Sequence, residues 1–472
     1  MPKTEVRRRG GRDLTTGSIP KTLFHQAWPQ TTEGVLLIID QVSDLIWAGR
    51  LPSGFRSVAG IGVSQTITQV GQTARSGLDQ STRALISRSV GAKNMELAND
   101  IAIQSLVVSA IYAVLLVIFG ILFTDVMLRL IGTSGGVSAE AAAYMRVRFG
   151  NVATIGLRQT GSATLQATGE VMIPLRAGMV TRVIHFALSP CLVFGWWIFP
   201  HMGIAGAAMA GLLGDLGGGA ITYYVLFRGN SNLHLTLKGF RFRREILRQL
   251  LKIGAPASLV GMERSITQLV LLRIVTPFGD IPTTAYAITK RLENLLNFGS
   301  MGVGTASGVM VGQSLGAGNV SRAKKTIWWA VLFGNILPAV VRIFIILSPT
   351  ALILLFSDRT DVVDLTSSWL GVQVYASMAL GTAMVFQQSY NIAGDTMFPL
   401  ILIVLTEWTI EIPTALFLSH TSVGPIAIPY AALADGLARV VGFSAYFFTG
   451  RWYRVRVIPP RAPKPQTAQR QI

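Results

Sequence analysis

The chain has 472 residues, 50 % of them apolar and 14 % charged, with a mean hydropathy of +0.49. That composition excludes an ordinary water-soluble domain, which has no use for so much hydrocarbon. The formal charge of +18 would suggest a nucleic-acid partner in a soluble protein, but here its distribution along the chain decides its meaning.

The N-terminus carries Lys3, Arg7, Arg8, Arg9 and Arg12. It lacks the short apolar core and small-residue cleavage site of a secretory signal, so the first helix is expected to stay in the mature protein. A bilayer core about 30 Å thick needs roughly 20 mostly apolar residues per helix. Stretches such as 101–123, 183–199, 365–394 and 412–434 contain no Asp, Glu, Lys or Arg. On this basis twelve spans are expected, at about residues 24–48, 57–86, 100–123, 140–165, 177–198, 204–227, 253–276, 285–312, 326–347, 367–389, 400–418 and 426–450. The chain then divides into a six-helix lobe (1–227), a basic linker (228–252), a second six-helix lobe (253–450) and a basic tail (451–472). The fold class is all-α integral membrane, twelve helices in two homologous six-helix lobes. Cys191 is the single cysteine and lies in an apolar run, which leaves no disulfide framework and no Cys-based metal site.

A repeat at a shift of 225 residues supports the division. Ser89, Gly91, Ala92, Asn94 and Ala98 match Ser314, Gly316, Ala317, Asn319 and Ala323, and the segment Gly169-Glu170 to Pro174-Leu175 matches Gly394-Asp395 to Pro399-Leu400. Two matches at one shift indicate duplication, and six helices per copy relate the halves by an axis along the membrane normal. The linker holds Arg228, Lys238, Arg241, Arg243, Arg244, Arg248 and Lys252 against Glu245 alone. It reads as a segment lying against anionic lipid headgroups rather than as a nucleic-acid patch.

These features resemble the bacterial type of the multidrug and toxic compound extrusion (MATE) family. Trp28-Pro29 is followed by Asp44-Leu45-Ile46-Trp47-Ala48-Gly49, similar to that family's Asp-x-x-x-Ala-Gly signature, and the duplicated Gly-Ala-x-Asn and Gly-acid-x-x-x-Pro loops stand in the family's order. The resemblance covers roughly residues 20–455. It implies two lobes around a cavity open alternately to either side, and export driven by protons or sodium. Apart from the family, a duplicated bundle with intramembrane charges and no phosphate-binding Gly-x-x-x-x-Gly-Lys loop already points to secondary transport.

An ionisable side chain near the bilayer centre costs roughly 2.5–3.5 kcal/mol unless it faces protein or water. In the first helix Asp40 and Asp44 share one face, a place where a proton could be held; the alternative is a structural salt bridge to Arg75, part of the Arg75, Asp79, Arg83 stripe. The family's Asn-x-x-x-Asp-Pro of the fifth helix stands here as His185-Phe186-Ala187-Leu188-Ser189-Pro190, and Asp215 lies in the sixth helix. Asp40, Asp44, His185 and Asp215 are therefore expected to line one first-lobe chamber that couples cation entry. Asp44, with Trp47 and Tyr390 as aromatic stacking surfaces, is the candidate substrate site. In the second lobe Glu263, Lys290, Arg291, Glu293, Glu407 and Glu411 read as an ion-pair network in which Lys290 or Arg291 neutralises the two last glutamates.

The expected activity is export of small amphipathic, cationic compounds in exchange for protons, with sodium as the alternative ion, no other cofactor and no metal site. A lipid-linked or oligosaccharide flippase is the runner-up, and a membrane enzyme a third reading. Partners are a small-molecule substrate and membrane lipids, not nucleic acid; a monomer is assumed.

One set of loops and tails carries 25 Lys or Arg and the other carries four. The basic set belongs in the cytoplasm, which places both termini there and the protein in the cell's inner membrane. Cysteines introduced at Ser231 and Ser422 should label from opposite sides of the membrane. Labelling of both from outside would refute this topology.

Overall fold

The computed structural model describes residues 13–51, 54–131, 135–238, 240–354, 356–455 and 457. The basic N-terminal residues through Arg12 and the tail beyond 457 lie outside them. Twelve long helices are present among the described residues: α1 (Ile19–Gly49), α2 (Gly54–Gly91), α3 (Met95–Ile131), α4 (Gly135–Ala167), α5 (Met172–Phe194), α6 (Ile204–Arg228), α7 (Arg244–Val275), α8 (Asp280–Gly316), α9 (Val320–Leu347), α10 (Thr360–Ala393), α11 (Met397–Ser419) and α12 (Ala427–Thr449). Helices α1–α6 and α7–α12 form two lobes with the same order, as the repeat requires.

Seven of the twelve, α3, α5, α6 and α9–α12, are long and apolar enough to cross a membrane by composition alone. The other five, α1, α2, α4, α7 and α8, fall short of that measure. They carry most of the intramembrane charge, and many of those charges meet partners inside the protein, as Arg75 with Asp79 and Arg158 with Glu33. By contrast α3 shows lipid a continuous apolar side, with Ile111, Leu115, Ile118 and Leu122 exposed.

The duplicated loops now have physical reasons. Asn94 accepts a hydrogen bond from the Leu97 N–H (3.1 Å) and Asn319 from the Arg322 N–H (2.9 Å), so each asparagine caps the next helix. The glycines serve a different need. A Cβ on Gly91 would collide with the carbonyl of Gln313, and one on Gly316 with the carbonyl of Arg88. Positions 88 and 313, like 91 and 316, are repeat mates. The Arg88 guanidinium donates to the Ala393 carbonyl at the end of α10 (2.7 Å), and the Gln313 amide donates to the Ala167 carbonyl at the end of α4 (2.8 Å). Each lobe thus grips the end of the other's fourth helix, a reciprocal clasp on the side of the basic loops.

Further inter-lobe contacts extend from the clasp toward mid-helix. Gln80 meets Gln388 (2.5 Å), Ser258 donates to the Ala74 carbonyl (2.7 Å), and Gly77 packs directly on Gly254. These contacts hold the two lobes together on the basic side.

The linker differs from its expected form. Residues 229–243 make no helix, and α7 begins at Arg244. The segment is a strap fastened to the first lobe. Thr236 exchanges two hydrogen bonds with the Asn99 side chain (3.0 and 3.1 Å), Arg243 pairs with Asp100 (2.8 Å), and Leu233 and Leu235 are buried. The Asn232 N–H donates to Glu170 (2.5 Å). Burial pushes the Glu170 carboxyl up to about 7, against the pull of that hydrogen bond.

The clasp yields a prediction. Gly316→Val forces side-chain volume against backbone, an overpacking worth about 1–3 kcal/mol, and should shift the lobes toward opening on the basic side. In a Cys191→Ala background, a cysteine at Ser87, fully buried in the clasp, should become reactive to a soluble maleimide when Gly316→Val is added. Unchanged protection would show that the clasp does not hold this side shut.

Candidate functional site

In the first lobe α1 supplies Asp40 and Asp44 one turn apart, and α5 supplies Arg182 and His185 three residues apart, so that each helix offers one face to the other. His185 Nδ1 contacts one oxygen of Asp40, and Arg182 pairs with the other. His185 Nε2 lies 3.0 Å from Asp44 Oδ1, at ion-pair distance though outside hydrogen-bond geometry. An imidazole thus sits between two carboxylates, with Asp44 and His185 buried. A neutral imidazole carries one N–H for two carboxylates, so the triad has a place for one further proton.

Asp215 does not join this triad. The Arg158 Nε–H donates to it at 2.8 Å and the Asn151 amide at 3.1 Å, while Arg158 also reaches Glu33 at 3.2 Å. Close packing of α6 glycines causes the separation. Gly214 and Gly218 seat directly on the Thr181 and Ala177 backbone of α5, and Asp215 is turned toward α4, where it neutralises a guanidinium that is 1 % exposed. The expected single chamber is therefore two adjacent centres. The alternative partner for Asp40 and Asp44 also fails, because Arg75 pairs with Asp79 (2.9 Å) and donates to the Gly156 carbonyl (3.2 Å).

The aromatic assignments fare differently. Trp47 is partly buried, edge-on to Phe194 at 6.2 Å, with the Arg50 guanidinium 5.3 Å above its ring. Tyr390 is fully buried among Phe386, Phe443, Tyr446 and Trp452, and its hydroxyl donates to the Phe443 carbonyl (2.9 Å). It is a core residue, its ring packed against other rings.

The second lobe brings α7, α8, α10, α11 and α12 together around a polar chamber. At residues Glu407–Glu411 α11 widens into a π-helical turn, a local insertion that often marks functional sites. Arg439 of α12 pairs with Glu407 (2.5 Å) and Asp435 (2.8 Å). The Thr267 hydroxyl lies 2.8 Å from Glu263 and 3.1 Å from Glu407, and the Trp408 indole N–H donates to Glu263 at 3.0 Å. Lys290 is taken by Glu293 (2.8 Å), which also accepts from Gln373 (3.0 Å). Arg291 is exposed beside Phe356, 5.9 Å from its ring. Of the two glutamates expected to be neutralised by Lys290 or Arg291, Glu407 is paired by Arg439 instead, because i, i+4 spacing puts Asp435 and Arg439 on the face of α12 that meets α11, while Glu411 has both Lys290 and Arg439 as electrostatic neighbours.

Arg182, Arg158 and Glu33 in the first lobe, and Arg439, Asp435 and Thr267 in the second, were not singled out from sequence. A signal for the charged ones existed. Each is an intramembrane charge, and two stand three or four residues from a group of opposite or matching chemistry: Arg182 beside His185, Asp435 beside Arg439.

The MatE family profile matches residues 31–191 and 256–417. The two matches begin 225 residues apart, the shift of the internal repeat. The chain is 22 % identical over 467 residues to the "Probable multidrug resistance protein NorM" of Thermotoga maritima, covering 97 % of this chain and 96 % of that protein. It is 22 % identical to the "Multidrug export protein MepA" of Staphylococcus haemolyticus, covering 88 % and 90 %. Its backbone superimposes on a MOP superfamily transporter from Pyrococcus furiosus with a TM-score of 0.87 at 22 % identity, covering 95 % of this chain and all of that one. Both halves of this duplicated bundle are matched, and the chain belongs to the MatE (multidrug and toxic compound extrusion) family of multi-pass membrane transporters, not to a class of enzymes.

Proposed function

We propose that this protein is a secondary antiporter that exports small amphipathic, cationic compounds in exchange for protons. The observation that carries the proposal is the buried Asp40–His185–Asp44 arrangement between α1 and α5. The printed names of the relatives, multidrug resistance and multidrug export proteins, support the substrate class.

Proton coupling follows from what the triad can hold. A proton needs one acceptor, and here three groups on two helices share the task. Sodium needs several hard oxygen ligands around one point, and an imidazole nitrogen at the centre of the arrangement does not suit it. When the triad is deprotonated its carboxylates attract a cation; when it takes up a proton that attraction weakens and the cation leaves. By linkage, substrate binding must then expel protons to the same degree. Asp44 is the group we assign to both partners in turn, and Asp215, satisfied by Arg158 and Asn151, is assigned a supporting role for α4 and α6.

The topology completes the cycle. With the basic side cytoplasmic and both termini there, the Arg88 and Gln313 clasp seals the cytoplasmic side, as a state in which protons enter and substrate departs on the outside would require. Substrate is taken to sit between the lobes near the midplane, as in other duplicated transporters. The flippase reading would call for a strongly cationic cavity, and the first-lobe acids argue against it.

In everted vesicles, a cationic dye such as ethidium should partly collapse an imposed pH gradient without added sodium. Asp44→Asn, expressed and folded at the parent level, should lower this response by about tenfold or more, the scale of ordinary coupling energies. Transport that requires sodium and persists once the pH gradient is removed would overturn proton coupling. Parent-rate export by Asp44→Asn would remove Asp44 from the site.

A further inference from the structure

The two carboxylates of the first-lobe triad are not equivalent. Both oxygens of Asp40 are engaged, one by the Arg182 guanidinium and the other by His185 Nδ1. Asp44 Oδ1 and His185 Nε2 stand 3.0 Å apart, and both atoms are buried without a hydrogen-bond partner among the described residues. Two further groups face the acids from α4. Arg148 is an electrostatic neighbour of Asp40, and Tyr144, fully buried, is a neighbour of both acids. The Arg148 guanidinium donates to Asn151 (2.5 Å). Among the described residues, therefore, Arg182 is the one cation besides the imidazole that pairs directly with either acid.

A guanidinium and a ring N–H on one carboxylate favour its ionised form, and an ionised carboxylate can only accept. Nδ1 must then carry a hydrogen, and a neutral imidazole has only one to give. Its Nε2 is left as a bare acceptor facing an oxygen of Asp44 that also lacks a donor. Two buried acceptors so close are unfavourable unless a proton lies between them. We infer that Arg182 is a positioning residue: by keeping Asp40 an ion it fixes the His185 tautomer with hydrogen on Nδ1, and so places the exchangeable proton between Nε2 and Asp44. Uptake adds the proton to the Nε2 lone pair, giving an imidazolium that faces both acids, and release returns the bare nitrogen. Free imidazole in water favours hydrogen on Nε2, so the partner of Nδ1 has to impose the opposite arrangement. The inference rests on the proton-antiport reading, but a tautomer is read on the protein at rest, without any transport.

With His25, His201, His234 and His420 replaced by Gln, the full-length protein carries His185 as its single histidine. Histidine labelled with an NMR-active isotope at one ring nitrogen or the other is incorporated, and the lipid-reconstituted protein is followed by solid-state NMR from acid to alkaline pH. Nδ1 should keep its N–H signal throughout, while Nε2 passes from N–H to bare nitrogen. Arg182→Gln leaves Asp40 free to hold the proton and donate it to the ring, so Nδ1 should become the bare nitrogen and Nε2 the N–H. Arg182→Lys, which keeps a cation beside Asp40, should restore the parent pattern. A merely structural role for Arg182 would leave the two signals unmoved. An Nδ1 that turns bare in the parent, an Nε2 that never loses its proton, or an Arg182→Gln protein with the parent pattern would each overturn the inference. The first two outcomes need no substitution at Arg182. Should the fourfold replacement fail to fold, the same two signals are identified in the parent chain as those that disappear in His185→Gln. Failure of ethidium to move protons in vesicles would count against the antiporter reading and leave the tautomer result standing.

Discussion

A charge in hydrocarbon destabilises a helix by a few kcal/mol unless protein or water surrounds it, and this condition organises the bundle. Five helices carry charges that their own composition cannot support in lipid. Many of those charges meet partners inside the protein, and apolar helices such as α3 offer their exposed side to lipid. Arg158 shows the logic in one residue. It is nearly inaccessible, yet Asp215 and Glu33 from α6 and α1 both reach it, so one cation holds three helices of the first lobe together.

Duplication adds a second constraint. Equivalent positions in the two halves meet across the pseudo-two-fold axis, so a feature that works once is used twice: Gly91 and Gly316 admit the opposing backbone, and Arg88 and Gln313 reach across to the ends of α10 and α4. Such a clasp closes or opens as a unit, because neither half can separate without breaking the other's contact. That property suits a protein that must expose its interior to one side at a time.

The charged centres, by contrast, have lost the symmetry of the scaffold. The first lobe places an imidazole between two carboxylates, and the second surrounds a guanidinium with carboxylates and carries a π-helical turn beside them. Equivalent backbones therefore carry different chemistry.

Hydropathy, basic-loop counting and the 225-residue shift were sufficient to establish an all-α membrane protein of two six-helix halves, because those signals are additive along the chain and need no contact information. Residue spacing also placed Asp40, Asp44 and His185 on usable helix faces. Pairing was not legible. Whether Asp44 meets Arg75 or His185, whether Glu407 is neutralised by Lys290 or Arg439, and whether Tyr390 is a cavity wall or a core residue depend on how helices distant in sequence rotate against each other. That rotation is set by glycine contacts such as Gly214 and Gly218 on α5 and Gly77 on α7, where the absence of a side chain lets two backbones touch. A glycine in a sequence shows that close approach is permitted, and only the folded bundle decides what approaches.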